Sequence, residues 1–308
     1  MDNIKIGIVG GGFVGNATKK FSFKKNDKNF HGTLDPTNIS YVCYDLDPSK
    51  RSPPDTIFED LKTTNIIFIC VPTPMNKDGS CYTGIVENVI KQIRDTFNMD
   101  ISSPKENDPH IVVRSTVPVG FCEKMGVHFM PEFLTEKNWS SDFYNCNNWI
   151  IGVNKSVPRW EQFKKLMINI LYTSWEHSCI LVPTHTILTT SEAEMVKYMR
   201  NCFLATKVAF ANEMYRFCEK MNLDYNNVKN AVIHDTRIGS SHLNVPGQDG
   251  KFGFNLSCLP KDSHSLKFQF ETQGVECPIL NSIIYRNETI DNPSKDWMNE
   301  DKAFVKNQ

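Results

Sequence analysis

No stretch of this sequence approaches the roughly 20 consecutive apolar residues that a membrane-spanning helix needs. Its ten cysteines form no C-x-x-C pair and no short-spaced set with histidine, so we expect no zinc or other metal site. The formal net charge of -1 provides no general attraction for nucleic acid or for an anionic membrane surface. Membrane-spanning, zinc-dependent and nucleic-acid-binding proteins are therefore disfavoured.

The N-terminus also lacks the features of a secretory signal. Asp2 precedes the first apolar run, and no basic segment stands before it, so we interpret that run as a strand. We accordingly expect a cytoplasmic protein whose thiols are reduced. The chain has 308 residues and is 40% hydrophobic, which is typical of a globular protein with one large domain or two medium ones.

Short and almost wholly apolar runs dominate the first half of the sequence. The runs are Ile4–Gly10, Tyr41–Asp45, Asn65–Pro72, His110–Val117, Gly126–Phe133 and Asn148–Asn154. Such runs, without strict alternation, are typical of parallel strands covered on both faces. Segments with helical periodicity lie between them, as in Tyr82–Phe97 and Val157–Leu171. The pattern predicts an α/β fold with a Rossmann-type, doubly wound parallel sheet.

The character of the sequence changes near residue 186. The segment Ser191–Met221 contains no glycine or proline, and Ser191 and Glu194 have the spacing of a capping box. This predicts an all-helical domain with one long helix, and a helix of that length favours a homodimer contact. The predicted divisions are a sheet domain at 1–185, a central and dimerisation domain at 186–290, and a loose polar tail at 291–308.

The segment Gly10–Gly15 fits the pattern G-x-G-x-x-G, directly after a predicted strand and before a predicted helix. In that context Gly10 allows the tight turn, Gly12 lets a pyrophosphate approach the backbone, and Gly15 lets the helix pack closely on the strand. The phosphates would lie at the helix N-terminus, where unpaired N–H groups favour anions. The first domain is therefore predicted to bind a dinucleotide.

Asp45, at the end of the second predicted strand, is the candidate for the ribose hydroxyls. It follows Gly15 at a longer spacing than the usual ~20 residues, and the insertion Lys24–Asn38 accounts for the difference. A carboxylate at this place repels a 2′-phosphate, so NAD is favoured over NADP. The alternative is an ordinary glycine turn beside a strand-end aspartate.

Seven motifs, in the same order, resemble the UDP-glucose/GDP-mannose dehydrogenase family of nucleotide-sugar 6-dehydrogenases. They are "GIVGGGFVG", "VPTP", "STVPVG", "PEFLTE", "AEMVKYMRNCFLATKVAFANEM", "DTRIGSSHLNVPGQDGKFGF" and "SCLPKD", and they cover about residues 4 to 287. The resemblance implies that a primary alcohol is oxidised to a carboxylic acid with two NAD. The implied substrate is a nucleotide sugar, with UDP-glucose favoured.

The family's chemistry explains why a cysteine is needed. An aldehyde must become tetrahedral before it can lose a second hydride, and a thiolate achieves this through a thiohemiacetal that is oxidised to a thioester. Cys258 matches the family's nucleophile, Glu132 its base for thioester hydrolysis, and Asp262 the aspartate that orients water and the lysine. The remaining residues with implied catalytic roles are Lys197 and Asn201, one turn apart on the long helix, and Thr116.

The resemblance also implies binding residues for the cofactor and the substrate. The cofactor set is Gly10, Gly12, Phe13, Val14, Gly15, Asp45, Lys50, Val71, Pro72, Thr73, Ser115, Thr116, Glu136 and Lys261. The substrate set is Glu132, Phe133, Leu134, Lys197, Asn201, Arg237, Phe252, Gly253 and Phe254. In some members the residue that Arg237 matches reaches the sugar nucleotide from a neighbouring subunit.

The sequence departs from the family pattern in three places. Full-length members carry a further C-terminal domain that binds the nucleotide, and we expect this chain to lack it. In the cysteine loop, Asn255 and Leu256 stand where the family has glycines, and glycines there allow positive φ or close approach of a ligand. Met130 stands where an asparagine commonly precedes "PEF".

Two other functions remain open. An enzyme similar to the 3-hydroxyacid dehydrogenases would have a similar length, a Rossmann domain and a K-x-x-x-N helix, but it would not need Cys258 or the "PEFLTE" segment. A non-catalytic NAD-binding remnant, or a subunit that requires a separate nucleotide-binding chain, is the alternative that is not an enzyme by itself.

Overall fold

A seven-stranded sheet organises the first part of the chain in the computed structural model, which describes residues 3–22, 38–247, 249–255, 257–300 and 302–305. The strands are β1 (Ile4–Val9), β2 (Ile39–Tyr44), β3 (Ile66–Ile69), β4 (His110–Val113), β5 (His128–Phe129), β6 (Trp149–Val153) and β7 (His185–Thr189). Their spatial order is β2-β1-β3-β4-β5-β6-β7, and all neighbours are parallel except β5 and β6. The predicted doubly wound sheet is confirmed, with its switch point between β1 and β3.

The helices of the described residues include the predicted long one. They are α1 (Phe13–Thr18), α2 (Gly84–Phe97), α3 (Phe121–Lys124), α4 (Trp139–Tyr144), α5 (Trp160–Glu176), α6 (Thr190–Lys220), α7 (Tyr225–Val232), α8 (Cys258–Thr272) and α9 (Pro278–Arg286). A π-helical turn, Asn287–Asp291, continues α9, and a 3-10 turn follows at Asp296–Asn299. The long helix, α6, spans 31 residues, close to the predicted Ser191–Met221.

The continuous apolar runs are explained by burial on both faces of the sheet. In β3, Ile66 and Phe68 belong to one buried cluster that includes Phe163 of α5. Ile67 and Ile69 point the other way and belong to a second buried cluster with residues of α2. Successive residues of a strand face opposite sides, so a strand covered by helices on both sides must be apolar at every position.

The chain divides into two compact units. The sheet unit contains residues 1–72 and 83–197, and the helical unit contains residues 73–82 and 198–308. The division falls after Lys197, later than the boundary that we predicted after residue 185, because β7 pairs with β6 and is part of the sheet. The loop 73–82, which follows β3 in the chain, also belongs to the helical unit.

The start of α6 differs in detail from the prediction. The reciprocal capping contacts are made by Thr189 and Glu192, since Glu192 Oε2 accepts from the Thr189 backbone N–H at 2.8 Å and Thr189 Oγ1 accepts from the Glu192 N–H at 3.3 Å. Glu194, which we had assigned to the capping box, is buried and accepts hydrogen bonds from the Gly120 and Cys122 backbone N–H groups at 2.6 and 2.8 Å. It anchors the "STVPVG" loop instead of its own helix.

The prediction of a loose polar tail was wrong for the described residues after 291. In the helical unit, Trp297 is 2% exposed and Ala303 is fully buried, and both form an apolar cluster with Met75. The Met75 backbone N–H donates to the Ala303 carbonyl at 2.8 Å, and the Val305 N–H donates to the Met75 carbonyl at 3.0 Å. The segment is polar in composition, but the buried side chain of Trp297 attaches it to the helical unit.

Among the residues that the structure describes, no helix is both long and apolar enough to span a membrane. Within the same residues, no group of three or more His, Cys, Asp or Glu side chains could hold a metal ion.

Two histidines begin neighbouring strands in the sheet unit and are buried there. His128 is 1% exposed and stacks on Phe163, with 3.7 Å between the ring centroids. His128 Nδ1 accepts the Asn154 backbone N–H at 3.1 Å. Burial lowers the pKa of His128 to about 3 and that of His110, 9% exposed, to about 4, with Arg159 also lowering the latter. Both rings are therefore neutral at pH 7.

This burial predicts a loss of stability in mild acid. Because the folded pKa of each histidine lies below its ordinary value near 6.5, the unfolded state binds more protons between pH 6.5 and about 4, and stability falls as the pH drops through that window. His128→Asn retains an acceptor for the Asn154 N–H but cannot titrate there. Urea unfolding should show a dependence on pH that is flatter than wild type by up to ~1.4 kcal/mol per pH unit. Equal slopes for the two proteins would contradict the assignment.

Candidate active site

The loop after β1 has the geometry that the glycine motif predicts. Gly10 has a φ of +99°, and a Cβ there would lie 2.5 Å from the Cys70 carbonyl oxygen. A Cβ on Gly15 would collide with the Gly10 carbonyl oxygen, at the place where α1 follows β1. By contrast, a Cβ on Gly12 would meet no atom within 4 Å. Gly12 therefore borders open space at the start of α1, where a pyrophosphate can approach the backbone.

Asp45 lies directly at this loop. Its Oδ2 accepts a hydrogen bond from the Gly11 backbone N–H at 2.6 Å. The main chain of Lys50 also packs there, since a Cβ on Gly11 would lie 2.7 Å from the Lys50 carbonyl oxygen. The Asp45 carboxylate thus reaches the glycine loop despite the long spacing in sequence. Residues 24–37 of the insertion lie outside the described residues.

The carboxyl ends of β3 and β4 carry the next predicted residues of the sheet unit. Ser115 and Thr116, both 7% exposed, follow β4, and Ser115 Oγ donates to the Val71 carbonyl at 2.6 Å. Val71 and Pro72 follow β3 at the edge of the sheet where the glycine loop follows β1. Phe13 and Val14, the first residues of α1, are half-buried. Thr73, 5% exposed, opens the segment that belongs to the helical unit.

Glu132 and Lys197 form a buried ion pair in the sheet unit. Lys197 Nζ lies 2.8 Å from Glu132 Oε1 and also donates to the Glu132 carbonyl at 2.7 Å. Lys197 is 3% exposed and Glu132 is 6% exposed. Glu132 Oε2 accepts the Leu134 N–H at 2.7 Å. Burial alone would raise the pKa of Glu132, but Lys197 and these hydrogen bonds hold it below its ordinary value. The carboxylate is therefore ionised at neutral pH.

The other residues of the "PEFLTE" segment differ in their burial and in their contact with this pair. The Lys197 ammonium lies 5.7 Å from the centroid of the Phe133 ring, which places the cation over an aromatic face. Leu134 is half-buried, whereas Glu136 is exposed. Met130, the departure from the usual asparagine, is fully buried and its sulfur accepts from Arg114 Nη1 at 3.1 Å.

In the helical unit, α8 begins at Cys258, which is half-buried. Asp262, 1% exposed, lies one turn further along, and its two oxygens accept from Asn201 Nδ2 and Lys261 Nζ, each at 2.6 Å. Burial lowers the pKa of Lys261, but the Asp262 carboxylate outweighs this and raises it. The structure thus gathers a cysteine at a helix N-terminus, which stabilises negative charge, with a buried aspartate, lysine and amide.

Asparagine side chains hold the loop that precedes Cys258. Asn212 Oδ1 accepts the Gly253 N–H at 3.1 Å, and the Asn287 amide pairs with both the N–H and the carbonyl of Phe254, at 2.8 and 3.0 Å. Gly253 itself has a φ of +72°, whereas Asn255 does not adopt positive φ. These asparagines were missed because each is isolated in sequence. Leu256 lies outside the described residues.

Phe252 is half-buried and Phe254 is 3% exposed, so the loop presents its first aromatic ring more than its second. Arg237 lies apart on an exposed segment of the helical unit, with 88% of its side chain exposed and an ion pair to Asp235 at 2.5 Å. Within this chain, the described contacts of Arg237 are therefore local.

Two models of one protein family match this chain. The model of the UDP-glucose/GDP-mannose dehydrogenase family NAD binding domain matches residues 49–176, and the model of the family's central domain matches residues 191–289. The chain belongs to the UDP-glucose/GDP-mannose dehydrogenase family. NAD is accordingly the cofactor, and the open space at Gly12 together with the Asp45 carboxylate fits it.

Similar proteins agree with this membership. A UDP-glucose 6-dehydrogenase of Rickettsia bellii is 32% identical over 241 residues, which are 75% of this chain and 50% of that protein. A UDP-glucose dehydrogenase structure from Pyrobaculum islandicum aligns with a TM-score of 0.70 and 25% identity, over 93% of this chain and 68% of that one. The chain spans about half the length of the curated relatives it matches.

A likeness of fold alone connects the chain to a second class of enzyme. The structure of a 3-hydroxyisobutyrate dehydrogenase from Mycobacterium tuberculosis aligns with a TM-score of 0.60 over 92% of both chains, at 13% identity. A shared fold at this identity does not carry over function. The hydroxyacid dehydrogenase alternative therefore has to be tested by chemistry.

The glycine loop provides a prediction that separates binding from folding. Gly12→Ala should change the free energy of unfolding by no more than about 0.5 kcal/mol, because its Cβ would enter open space at an ordinary negative φ. The same methyl group should weaken NAD binding at least ~10-fold, since it intrudes where the pyrophosphate approaches. Titration of tryptophan fluorescence with NAD measures the affinity, and urea unfolding measures the stability. Unchanged affinity in a folded variant would remove Gly12 from the cofactor site.

Proposed function

We propose that this chain carries the chemistry of an NAD-dependent nucleotide-sugar 6-dehydrogenase, which oxidises the C6 alcohol of a sugar such as that of UDP-glucose to a carboxylate. The observation that carries the proposal is Cys258 at the first position of α8, with buried Asp262 one turn later bonded to Asn201 and Lys261. A single oxidation of an alcohol needs no thiol, whereas a second oxidation at the same carbon needs a tetrahedral adduct of the aldehyde, which a thiolate can form. Family membership supports the same conclusion.

The proposed reaction balances with water as the other substrate. When bound, NAD supplies the hydride acceptor for each of the two oxidations. The first oxidation removes the hydroxyl proton and a hydride from C6 and leaves an aldehyde. The Cys258 thiolate then forms an S–C6 bond while the aldehyde oxygen takes a proton, and loss of that proton and a hydride gives a thioester. Water adds to the thioester carbon and its two protons pass to Glu132 and to solvent. The S–C bond breaks, which regenerates the Cys258 thiolate and releases the carboxylate.

The proposed catalytic roles follow from the states of the side chains. Glu132 is an ionised, buried carboxylate and would take a proton from the attacking water. Lys197 would stabilise the oxyanion and exchange the alcohol proton, while Asn201 would donate a neutral hydrogen bond. Asp262 would orient water. Thr116, nearly buried after β4, would hydrogen-bond water or the cofactor.

The binding roles remain proposals for the same residues that the motifs predicted. NAD would be held by the glycine loop with Phe13 and Val14, by Asp45 and Lys50, by Val71, Pro72 and Thr73, by Ser115 and Thr116, and by Glu136 and Lys261. The substrate would contact the segment Glu132–Leu134 with Lys197 and Asn201, the loop Phe252–Phe254, and Arg237. A nucleophilic thiol requires a reducing compartment, which supports the predicted cytoplasmic location.

We also propose a homodimer through α6. Four large apolar side chains of its helical-unit part are between 59% and 65% exposed: Met199, Phe203, Phe210 and Phe217. The three phenylalanines are seven residues apart, which places them along one face of the helix. An apolar stripe of this kind marks an interaction surface, and a second copy of the same helix is its natural counterpart.

The stoichiometry of NADH tests the proposed function. We expect two NADH for each UDP-glucose consumed, with a uronic acid as the product. A ratio of one, unaffected when Cys258 is replaced, would contradict the proposal and favour the hydroxyacid dehydrogenase alternative. Binding of NAD without turnover of any nucleotide sugar would favour a non-catalytic subunit. GDP-mannose and UDP-N-acetylglucosamine in parallel reactions identify the sugar and the base.

A further inference from the structure

The segment formed by residues 292–300 and 302–305, which we name the strap, contacts three parts of the helical unit. None of the sequence motifs includes it. The strap follows the π-helical turn after α9. Its contacts are with the cysteine loop (residues 250–255), with α8 and with the loop 73–82, all within the same compact unit.

Two side-chain pairs join the strap to the cysteine loop. Asn292, 5% exposed, donates its amide to Asn255 Oδ1 in a short hydrogen bond. Lys251 Nζ lies 2.6 Å from Asp296 Oδ2, in an ion pair whose side chains are about half exposed. Asn255 Nδ2 also donates to the Phe252 carbonyl at 3.1 Å. The asparagine that stands where the family has a glycine is thus the point at which the strap holds the loop.

The other end of the strap reaches α8 and the loop 73–82. Buried Trp297 lies 6.1 Å from the ring of His264, which accepts or donates a hydrogen bond at 2.6 Å with Glu288. Met75 forms a parallel bridge with Phe304, two backbone hydrogen bonds with the strap, and an apolar cluster with Trp297. These contacts tie the strap to two loops and one helix that lie far apart in the sequence.

We propose that the strap is a positioning device that holds the cysteine loop on the start of α8, with Asn255 and Asn292 as its key pair. The proposal rests on the proposed function, since the positioned group is the nucleophile. Each fixed contact in the loop lowers the entropy that must be lost when substrate binds. The substitution of Asn255 for a glycine is then an adaptation to the strap and not a defect of the loop.

Reversing the charges of the half-exposed pair Lys251 and Asp296 tests the strap without removing buried side chains. Lys251→Glu or Asp296→Lys places like charges together, while the double variant restores an ion pair. We expect each single variant to raise the alkylation rate of Cys258 by iodoacetamide about 2- to 5-fold, and the double variant to return it to within about 2-fold of wild type. Mass spectrometry of the peptide that contains Cys258 measures the rate, with Cys179 as an internal reference. Equal rates in all four proteins would overturn the proposal.

The pair Lys267 and Glu271 on α8, 3.6 Å apart with side chains 33% and 56% exposed, is the matched control. The same reversals there should leave the Cys258 alkylation rate unchanged. An effect as large as that of Lys251→Glu would show a general response to surface charge and would overturn the strap.

The asparagine pair gives an independent test. Asn292→Ala and Asn255→Ala each remove the strap bond, whereas Asn255→Asp keeps an acceptor for Asn292. We expect the two alanine variants to raise both Cys258 alkylation and the KM for UDP-glucose about 2- to 10-fold, with kcat changed less, and Asn255→Asp to recover most of this. Changed alkylation in a chain that turns over no sugar would retain the strap and reject the proposed function. Normal turnover with unchanged alkylation and KM would reject the strap alone.

Discussion

Cys258→Ser is expected to lower formation of the uronic acid at least ~10³-fold, because the serine hydroxyl is a far weaker nucleophile toward the aldehyde than a thiolate. The substitution is nearly isosteric and lies at the half-buried first residue of α8, so the fold should persist. Assay of the acid by mass spectrometry and of NADH by absorbance measures the two stages separately.

The first oxidation does not require a thiol, so the serine variant should retain slow formation of one NADH when aldehyde is trapped with hydroxylamine. Cys179→Ser is the control for the loss of a thiol, since Cys179 is half-buried in the sheet unit and has no proposed role. Two NADH per sugar at the wild-type rate in Cys258→Ser would place the nucleophile elsewhere and leave Cys258 as a structural residue.

Lys197→Met should destabilise the chain by about 3–5 kcal/mol at pH 7, because it leaves the Glu132 carboxylate buried without its partner. Lys197 Nζ and Glu132 Oε1 are 2.8 Å apart, and the two side chains are only 4% and 6% exposed. Water therefore cannot solvate the carboxylate that remains when the lysine is removed. The double variant Lys197→Met/Glu132→Gln should recover most of the stability while remaining inactive, since both charges are then absent. Urea unfolding of the four proteins gives the coupling energy.

Lys267→Met, on a part of α8 where the lysine side chain is 33% exposed, is the matched control and should cost less than about 1 kcal/mol. The contribution of Glu132 to the free energy of unfolding also depends on pH. The pKa of Glu132 lies below its ordinary value of 4.5 in the folded state, so its contribution is complete above pH 4.5 and is lost as the pH falls through the folded pKa. Acid sensitivity below pH 4.5 should therefore diminish in the double variant. Additive losses in the double variant would contradict a direct buried pair.

Much of the candidate site was predictable, because several of its residues stand directly after apolar strands or within short motifs. The glycine loop follows β1 and Asp45 follows β2, as the order of strand, turn and helix requires. The position of the thiol was also predictable from "SCLPKD", although its place at the first residue of α8 was not. The role of each of these residues stays a prediction until it is measured.

The parts that sequence could not reveal are those in which isolated polar residues meet across the chain. Glu194 has capping-box spacing with Ser191, yet its carboxylate caps the start of α3. Asn212 and Asn287 carry no local pattern, but they hold the backbone of Gly253 and Phe254. A single amide can satisfy many different partners, so its target depends on which backbone groups folding leaves unpaired.

By itself, the sequence determined the doubly wound sheet, the long helix, the dinucleotide loop and the family, because these depend on local periodicity and on closely spaced residues. Only the tertiary structure decided that Lys197 pairs with Glu132, that Asp262 joins Asn201 and Lys261, and that a polar tail is anchored by Trp297. Which long-range pairs form depends on which charges and amides are buried and need partners once the core has formed. A local sequence pattern does not contain that information. The asparagine in the cysteine loop became intelligible only when its partner, Asn292, was seen beside it.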